Sequence, residues 1–329
     1  MSVVPDAAIE LANFLIPASI FAVMALGLNI QWGHTGLFNA GVAAFWAVGA
    51  YTAAILMTAY DPASSTYPGH LGGYSQSFLV AALAAMFLAA LVGLAIALPI
   101  LRLRTDYFAI ATLALAEIIR LILTNAESLT AGSIGVRQIP RPLDAFVGWD
   151  RGVSDLSVAA LAVTLLVLGF IAVDYITRSS WGRVLRGIRE DEEATLALGK
   201  NVFSFRLQAF VLGCAFMGLA GALTATFQGF IAPNQFDPLA TFTIYVMIIL
   251  GGSGNNRGVI VGAYLFYSFD WVSVRLKDYL PTAWAERVPY VRLMAIGLIL
   301  VLLIMYRPAG LLRERKRTRP PVTTDEAER

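Results

Sequence analysis

Few residues in this sequence could do chemistry, and their placement argues against catalysis. Glu117 and Arg120 stand three apart inside an apolar run, so on a helix they share one face. A lone charge at the centre of a membrane helix costs about 2.5–3.5 kcal/mol. Mutual pairing near the outer end of the run removes most of that cost, and a structural ion pair is the expected role. Asp174 and Arg178 repeat the device four residues apart. Gly199-Lys200 is followed by Asn201 and lacks the preceding glycine of a phosphate-binding loop, so P-loop hydrolysis of ATP is excluded. His34 and His70 lie in short polar loops with no Cys or carboxylate cluster beside them, and Cys214 is the sole cysteine. Neither a metal centre nor a nucleophile triad follows. No catalytic residue and no metal ligand is assigned, and the chain is expected not to be an enzyme and to hold no cofactor of its own.

The elements that must position these residues are set by composition. Of 329 residues, 58% are hydrophobic and 14% charged, against about half and a quarter in ordinary soluble domains, and the mean hydropathy is +0.69. A net charge of +2 is too small to imply a nucleic-acid partner; the solvent is lipid. Apolar runs lie near 9–30, 36–58, 76–101, 107–124, 156–177, 207–231, 239–250, 258–274 and 291–306. The fold class is therefore all-α, a polytopic transmembrane bundle of about nine spans, with eight to ten possible. The run at 239–250 is short for a crossing that takes about 20 residues, so it could be re-entrant or broken. Residues 1–10 lack the basic region of a signal peptide and are expected to be retained.

Orientation follows from Lys and Arg. With a cytoplasmic C-terminus, 16 of them fall inside and 7 outside, Arg120 being left within a span, which favours an external N-terminus. Residues 1–312 then form one permease domain with an external loop at 125–155 and a cytoplasmic loop at 178–205. Residues 313–329, alternating charges and prolines, are expected to be a disordered cytoplasmic tail.

The cytoplasmic loop is polar, yet Leu185, Ile188, Leu196 and Leu198 recur at roughly helical spacing. One or two short amphipathic helices are expected, with Gly199 as a C-cap. Such an apolar ridge with a charged rim could dock a partner or lie on lipid headgroups. The acidic run Glu190, Asp191, Glu192, Glu193 favours the partner.

The stretch from Gly182 through Arg183, Arg186, Arg189, Glu193 and Ala194 to Gly199 resembles the coupling segment of the branched-chain amino acid ABC permeases of the LivM type. Four further strings carry the likeness over most of the chain. They are Gly27 to Gly41 with Asn29, Gln31, Thr35 and Asn39, then Gly218-Leu-Ala-Gly221, Gly251-Gly-Ser253-Gly254, and Arg307 to Leu312. The resemblance implies a permease subunit of an ATP-driven importer of branched-chain or other hydrophobic amino acids in the bacterial inner membrane. Its implied partners are a homologous permease of the LivH type, two cytoplasmic ATPases that bind ATP and Mg, and a periplasmic solute-binding protein. The ATPase-coupling residues would be Gly182, Arg183, Arg186, Arg189, Glu193, Ala194 and Gly199. Permeases for urea and short amides look closely alike and remain the alternative cargo. A secondary transporter or channel is a further rival, but it calls for unneutralised intramembrane charges.

Gly-rich irregular chain survives near hydrocarbon only where protein or a watery cavity covers it. Asn29, Gln31, Thr35 and Asn39 are thus candidates to line the translocation pathway, or else residues of a solvated turn. Ser253 and Asn255 belong to a second irregular patch, either a turn or a half-helix end aimed at a cavity. Gly93, Gly218, Gly221 and Gly262 are expected to serve close helix packing.

Overall fold

Every apolar run read from the sequence contains a helix in the structure, a computed structural model that describes residues 5–59, 72–142, 151–276, 287–307 and 309–313. Uninterrupted apolar sequence in lipid must satisfy its own backbone, and a helix does so locally. The helices are α1 (Asp6–Leu28), α2 (Val42–Met57), α3 (Phe78–Ile100), α4 (Thr105–Asn125), the single turn α5 (Glu127–Thr130), α6 (Arg151–Arg178), α7 (Ser180–Glu190), α8 (Glu192–Ala197), α9 (Val202–Gln228), α10 (Leu239–Gly251), α11 (Asn256–Leu276) and α12 (Val288–Tyr306). Among the described residues six helices are long and apolar enough to cross a membrane, and α2 and α12 are shorter apolar helices. The tail beyond 313, His70 and parts of the loops at 125–155 and 275–292 lie outside the described residues.

The centre of the bundle is α1, α2 and α9. Helix α9 packs on α1, α2 and α3, and α1 also packs on α6 and α11. Alanine and glycine let these backbones meet: a Cβ on Gly221 would collide with the backbone of Trp46 and Ala50, and one on Gly49 with Gly218. All four glycines expected to serve packing do so, Gly262 against the Met247 carbonyl and Gly93 against Cys214. The outer faces of α3, α4, α6 and α12 carry exposed leucines, isoleucines and methionines, which suits a lipid environment. Because a Cβ on Gly93 would lie 2.8 Å from Cys214 Sγ, Gly93→Ala is expected to destabilise the bundle by about 1–3 kcal/mol. Cys214→Ala in the same chain should restore part of the loss, read as the melting temperature in detergent.

One end of the bundle gathers residues 29–41, the helices α7 and α8, the turn at 252–255 and the C-terminal strap 309–313; we call it the elbow end. At the other end β1 (Val136–Arg137) pairs antiparallel with β2 (Phe230–Ile231), Val136 opposite Ile231. The short run at 239–250 resolves as a broken element. After Gly229, in the left-handed region at φ +66°, the chain descends into the bundle. Phe236 packs edge-on to Trp46 with ring centres 4.8 Å apart and also touches Tyr51, both near the middle of α2. Thr241 Oγ1 then accepts from Ala43 N. Helix α10, with 13 residues and hence about 20 Å long, begins at mid-depth and ends at the elbow end.

Candidate functional site

Between α6 and α9 the polar loop folds as two helices joined at an extended residue, Asp191 (φ −155°, ψ 107°). Each helix has its own N-cap. Ser179 Oγ accepts from Trp181 N, and Asp191 Oδ1 accepts from Ala194 N at 2.9 Å, the geometry that makes Ser and Asp strong caps. Gly199 follows at φ +74° and ends α8 as a C-cap. The break corrects one expectation. Leu185 and Ile188 are buried against the bundle, whereas Leu196 and Leu198 are 51% and 79% exposed; a turn at Asp191 separates them, so no single ridge exists.

The expected coupling residues divide in the same way. Gly182 lies on the Thr177 carbonyl with no room for a Cβ. Arg186 Nη1 donates to the same carbonyl at 3.4 Å, and the Arg189 guanidinium donates to the Gly33 carbonyl. These three hold the elbow to the spans. Arg183, Glu193, Ala194 and Gly199 lie on its exposed surface. A paired contact of Arg206 with Glu192, at 2.9 and 2.8 Å, fastens α8 to α9.

Gly33 belongs to a π-helical turn, Asn29–His34, that extends α1. Such a turn rotates side chains out of the α-helical register, and here it aims amides into the core. Asn29 Nδ2 donates to Asn256 Oδ1 at 3.0 Å, and Asn29 Oδ1 accepts from Gly254 N at 2.9 Å. His34 Nε2 meets the same Asn256 oxygen at 3.1 Å, and Asn256 Nδ2 donates to Thr177 Oγ1 at 2.9 Å. Gln31 Nε2 donates to the Phe210 carbonyl, Asn39 Nδ2 donates to Gln31 Oε1, and Thr35 Oγ1 donates to the Ile30 carbonyl. Gly41 N donates to Asn39 Oδ1, and Tyr245 OH donates to the Asn39 carbonyl. Asn29, Gln31, Thr35 and Asn39 are therefore completely buried and bonded to protein. This burial corrects the solvated turn expected of them: they form a polar knot joining α1, α6, α9, α10 and α11.

Asn255 is the N-cap region of α11, its Oδ1 accepting from Arg257 N, while its amide donates to the Leu312 carbonyl at 3.1 Å. With Leu311 N and Leu312 N bonded to the carbonyls of Leu250 and Gly251, the strap closes over the end of α10. Ser253 lines a polar cavity of about 440 Å³ beside Trp32, Gly33, Arg189 and Arg313. Sequence reasoning missed Asn256 as the hub, together with Thr177 and Tyr245; the only signal was Asn256 at the start of an apolar run beside Gly254.

Glu117 and Arg120 are paired, Arg120 Nε donating to Glu117 Oε2 at 2.9 Å with a second closer contact. Asp174 and Arg178 pair at 2.9 Å. Among the described residues no group of three or more His, Cys, Asp or Glu could hold a metal ion.

The family model for the branched-chain amino acid transport system permease component matches residues 10–304. The high-affinity branched-chain amino acid transport system permease protein LivM of Escherichia coli is 31% identical, across 89% of this chain and 68% of that protein. A probable LivM of Methanocaldococcus jannaschii is 27% identical across 95% of this chain and 96% of its own length. The permease LivH of Escherichia coli is 26% identical across 92% and 94%. No solved structure matches the chain.

Proposed function

The chain belongs to the family of branched-chain amino acid transport permeases, and from that membership we propose how it works. It is a multi-pass membrane subunit and a transport component rather than an enzyme. In our reading it forms half of the channel of an ATP-driven importer that carries branched-chain amino acids. Its partners are a LivH-type permease, two cytoplasmic ATPases that supply ATP and Mg chemistry, and a periplasmic binding protein. Likeness to both LivM and LivH along nearly the whole chain supports a pair of related but different permeases. The names of these relatives favour branched-chain amino acids over urea as cargo. Arg102, Arg104, Arg183, Arg186, Lys200 and Arg257 beside the elbow support a cytoplasmic elbow end, an external N-terminus and a cytoplasmic C-terminus in the bacterial inner membrane.

The observation that carries this reading is the two-faced elbow. Its outward face presents Leu196 and Leu198 with Glu192 and Glu193, a helix-in-groove surface for a partner. Its inward face is held by Arg189 to the π-helical turn of α1. Closure of the ATPase pair would displace the elbow, and the knot would pass the motion to the ends of α1, α6, α10 and α11. Solute then enters from the binding protein as the external side opens.

Leu196→Asp with Leu198→Asp is expected to weaken ATPase docking by about 2 kcal/mol or more, as for two central apolar anchors. The ATPase should be lost on co-purification while the melting temperature of the permease stays put, because neither leucine packs in the core. Full recovery of the ATPase with the double variant would remove the elbow as the docking surface.

A further inference from the structure

Halfway along the bundle three features meet that the coupling role does not use. The first is the Glu117–Arg120 pair. Glu117 lies eight residues before the end of α4, about 12 Å along the axis, so the pair is well inside the span. Its side chains are nonetheless 41% and 30% exposed, on a helix that packs beside the turn at 233–235. Even paired charges are poorly suited to hydrocarbon, and intramembrane ions almost always face protein or a watery cavity.

The second is the descending segment itself. Asn234, Asp237 and Leu239 are exposed at a depth set by Phe236 against Trp46 and Tyr51. Irregular backbone at membrane depth persists only where it is covered by protein or lines water. Asp237 caps α10 through Leu239 N at 2.8 Å, and it follows directly on the turn at 233–235 that packs on α4. The third is a pair of buried polar atoms without a hydrogen-bond partner among the described residues, the hydroxyl of Tyr51, which is 3% exposed, and Oε1 of Gln235. Such orphans are rare in folded proteins, and both flank Phe236.

Resting on the transport reading above, we propose that these groups form a transient solute site on the wall of the translocation pathway, which recognises the zwitterionic head of an α-amino acid. Arg120 takes the carboxylate. Glu117 and Asp237 take the ammonium. Exposed Leu239 offers apolar surface to the aliphatic side chain. Between solutes Arg120 and Glu117 neutralise each other, so the empty pathway carries no unpaired cation. A zwitterion exchanges one internal pair for two external ones with no change in net charge, which suits a site that must bind weakly and release.

The test uses the complete transporter in vesicles. Cys214 is the sole cysteine and is buried, so single cysteines can be read in the native chain. Glu117→Cys, and Leu113→Cys one turn earlier on the same flank, should react with a charged quaternary-ammonium thiosulfonate about tenfold faster than Ile118→Cys, which faces outward, as expected for water against lipid. Reaction of Glu117→Cys and Leu113→Cys with an apolar maleimide alone, or with neither reagent, overturns the proposal. In a second arm, Glu117→Gln with Arg120→Gln removes both charges and leaves none unpaired. The complex should be recovered in full yield while leucine uptake falls about tenfold, the scale of a lost charge-assisted contact. Undiminished uptake overturns the proposal; if that complex is not recovered, the labelling at Leu113 decides. Labelling by the charged reagent needs no cargo, whereas absence of leucine uptake by the unmodified complex would defeat the transport reading itself.

Discussion

Replacing Arg189 with Glu is expected to leave the transporter assembled and to cut solute uptake by one to two orders of magnitude. Arg189 is the one described elbow side chain bonded to the π-helical turn of α1, through the Gly33 carbonyl. Glu at this position cannot donate and sets a carboxylate against that carbonyl. The proposed docking face at Leu196 and Leu198 lies beyond the Asp191 break and is untouched, so the ATPases should still bind. What is lost is transmission, a coupling free energy for which about 1–3 kcal/mol, or 5–150-fold, is typical. The measurement is leucine uptake per ATP hydrolysed in vesicles: the ratio should collapse while ATP hydrolysis persists. Arg189→Lys keeps a donor without the planar fork and should fall between. If Arg189→Glu transports at the native ratio, force reaches the spans by another route, and the α8 to α9 contact of Glu192 with Arg206 becomes the candidate.

How much of this was legible beforehand depends on whether the signal was local. The apolar runs predict every long helix because composition alone sets them, and the acidic run with Gly199 marks the elbow because caps are local chemistry. The faces were not legible. Leu185, Ile188, Leu196 and Leu198 keep approximate helical spacing on paper, but Asp191 is both a helix end and the next N-cap, and the bend there sends the second pair outward. Asn29 to Asn39 read as a turn or a pathway because polar residues beside glycines usually meet water. Their burial depends on a π-helical turn, which no periodicity announces, and on acceptors 179 to 227 positions away. The short run at 239–250 showed that a span was incomplete without showing that its start lies at mid-depth, since that is fixed by Phe236 against α2.

Asn256→Leu should have the largest effect on stability of any single change in the knot. The substitution keeps the branching at Cγ and removes three contacts at once, to Asn29, His34 and Thr177. Asn29 Nδ2 and Thr177 Oγ1 would each lose a partner in a site without solvent, at about 1–3 kcal/mol per unsatisfied group. Thr177 retains its own donation to the Val173 carbonyl, so its share should lie at the low end, and Asn29 should dominate. A total of about 2–5 kcal/mol is a large part of an ordinary folding free energy of 5–15 kcal/mol, and it should appear as a lower melting temperature and reduced accumulation in the membrane. Asn29→Leu in the same chain removes the stranded amide, so the pair of changes should cost less than their sum, the signature of direct coupling. It cannot return the chain to native stability, because Gly254 N also donates to Asn29 Oδ1. Strict additivity would show instead that the two asparagines act separately, and the knot would then be a set of local contacts rather than the joint through which the elbow moves four helices together.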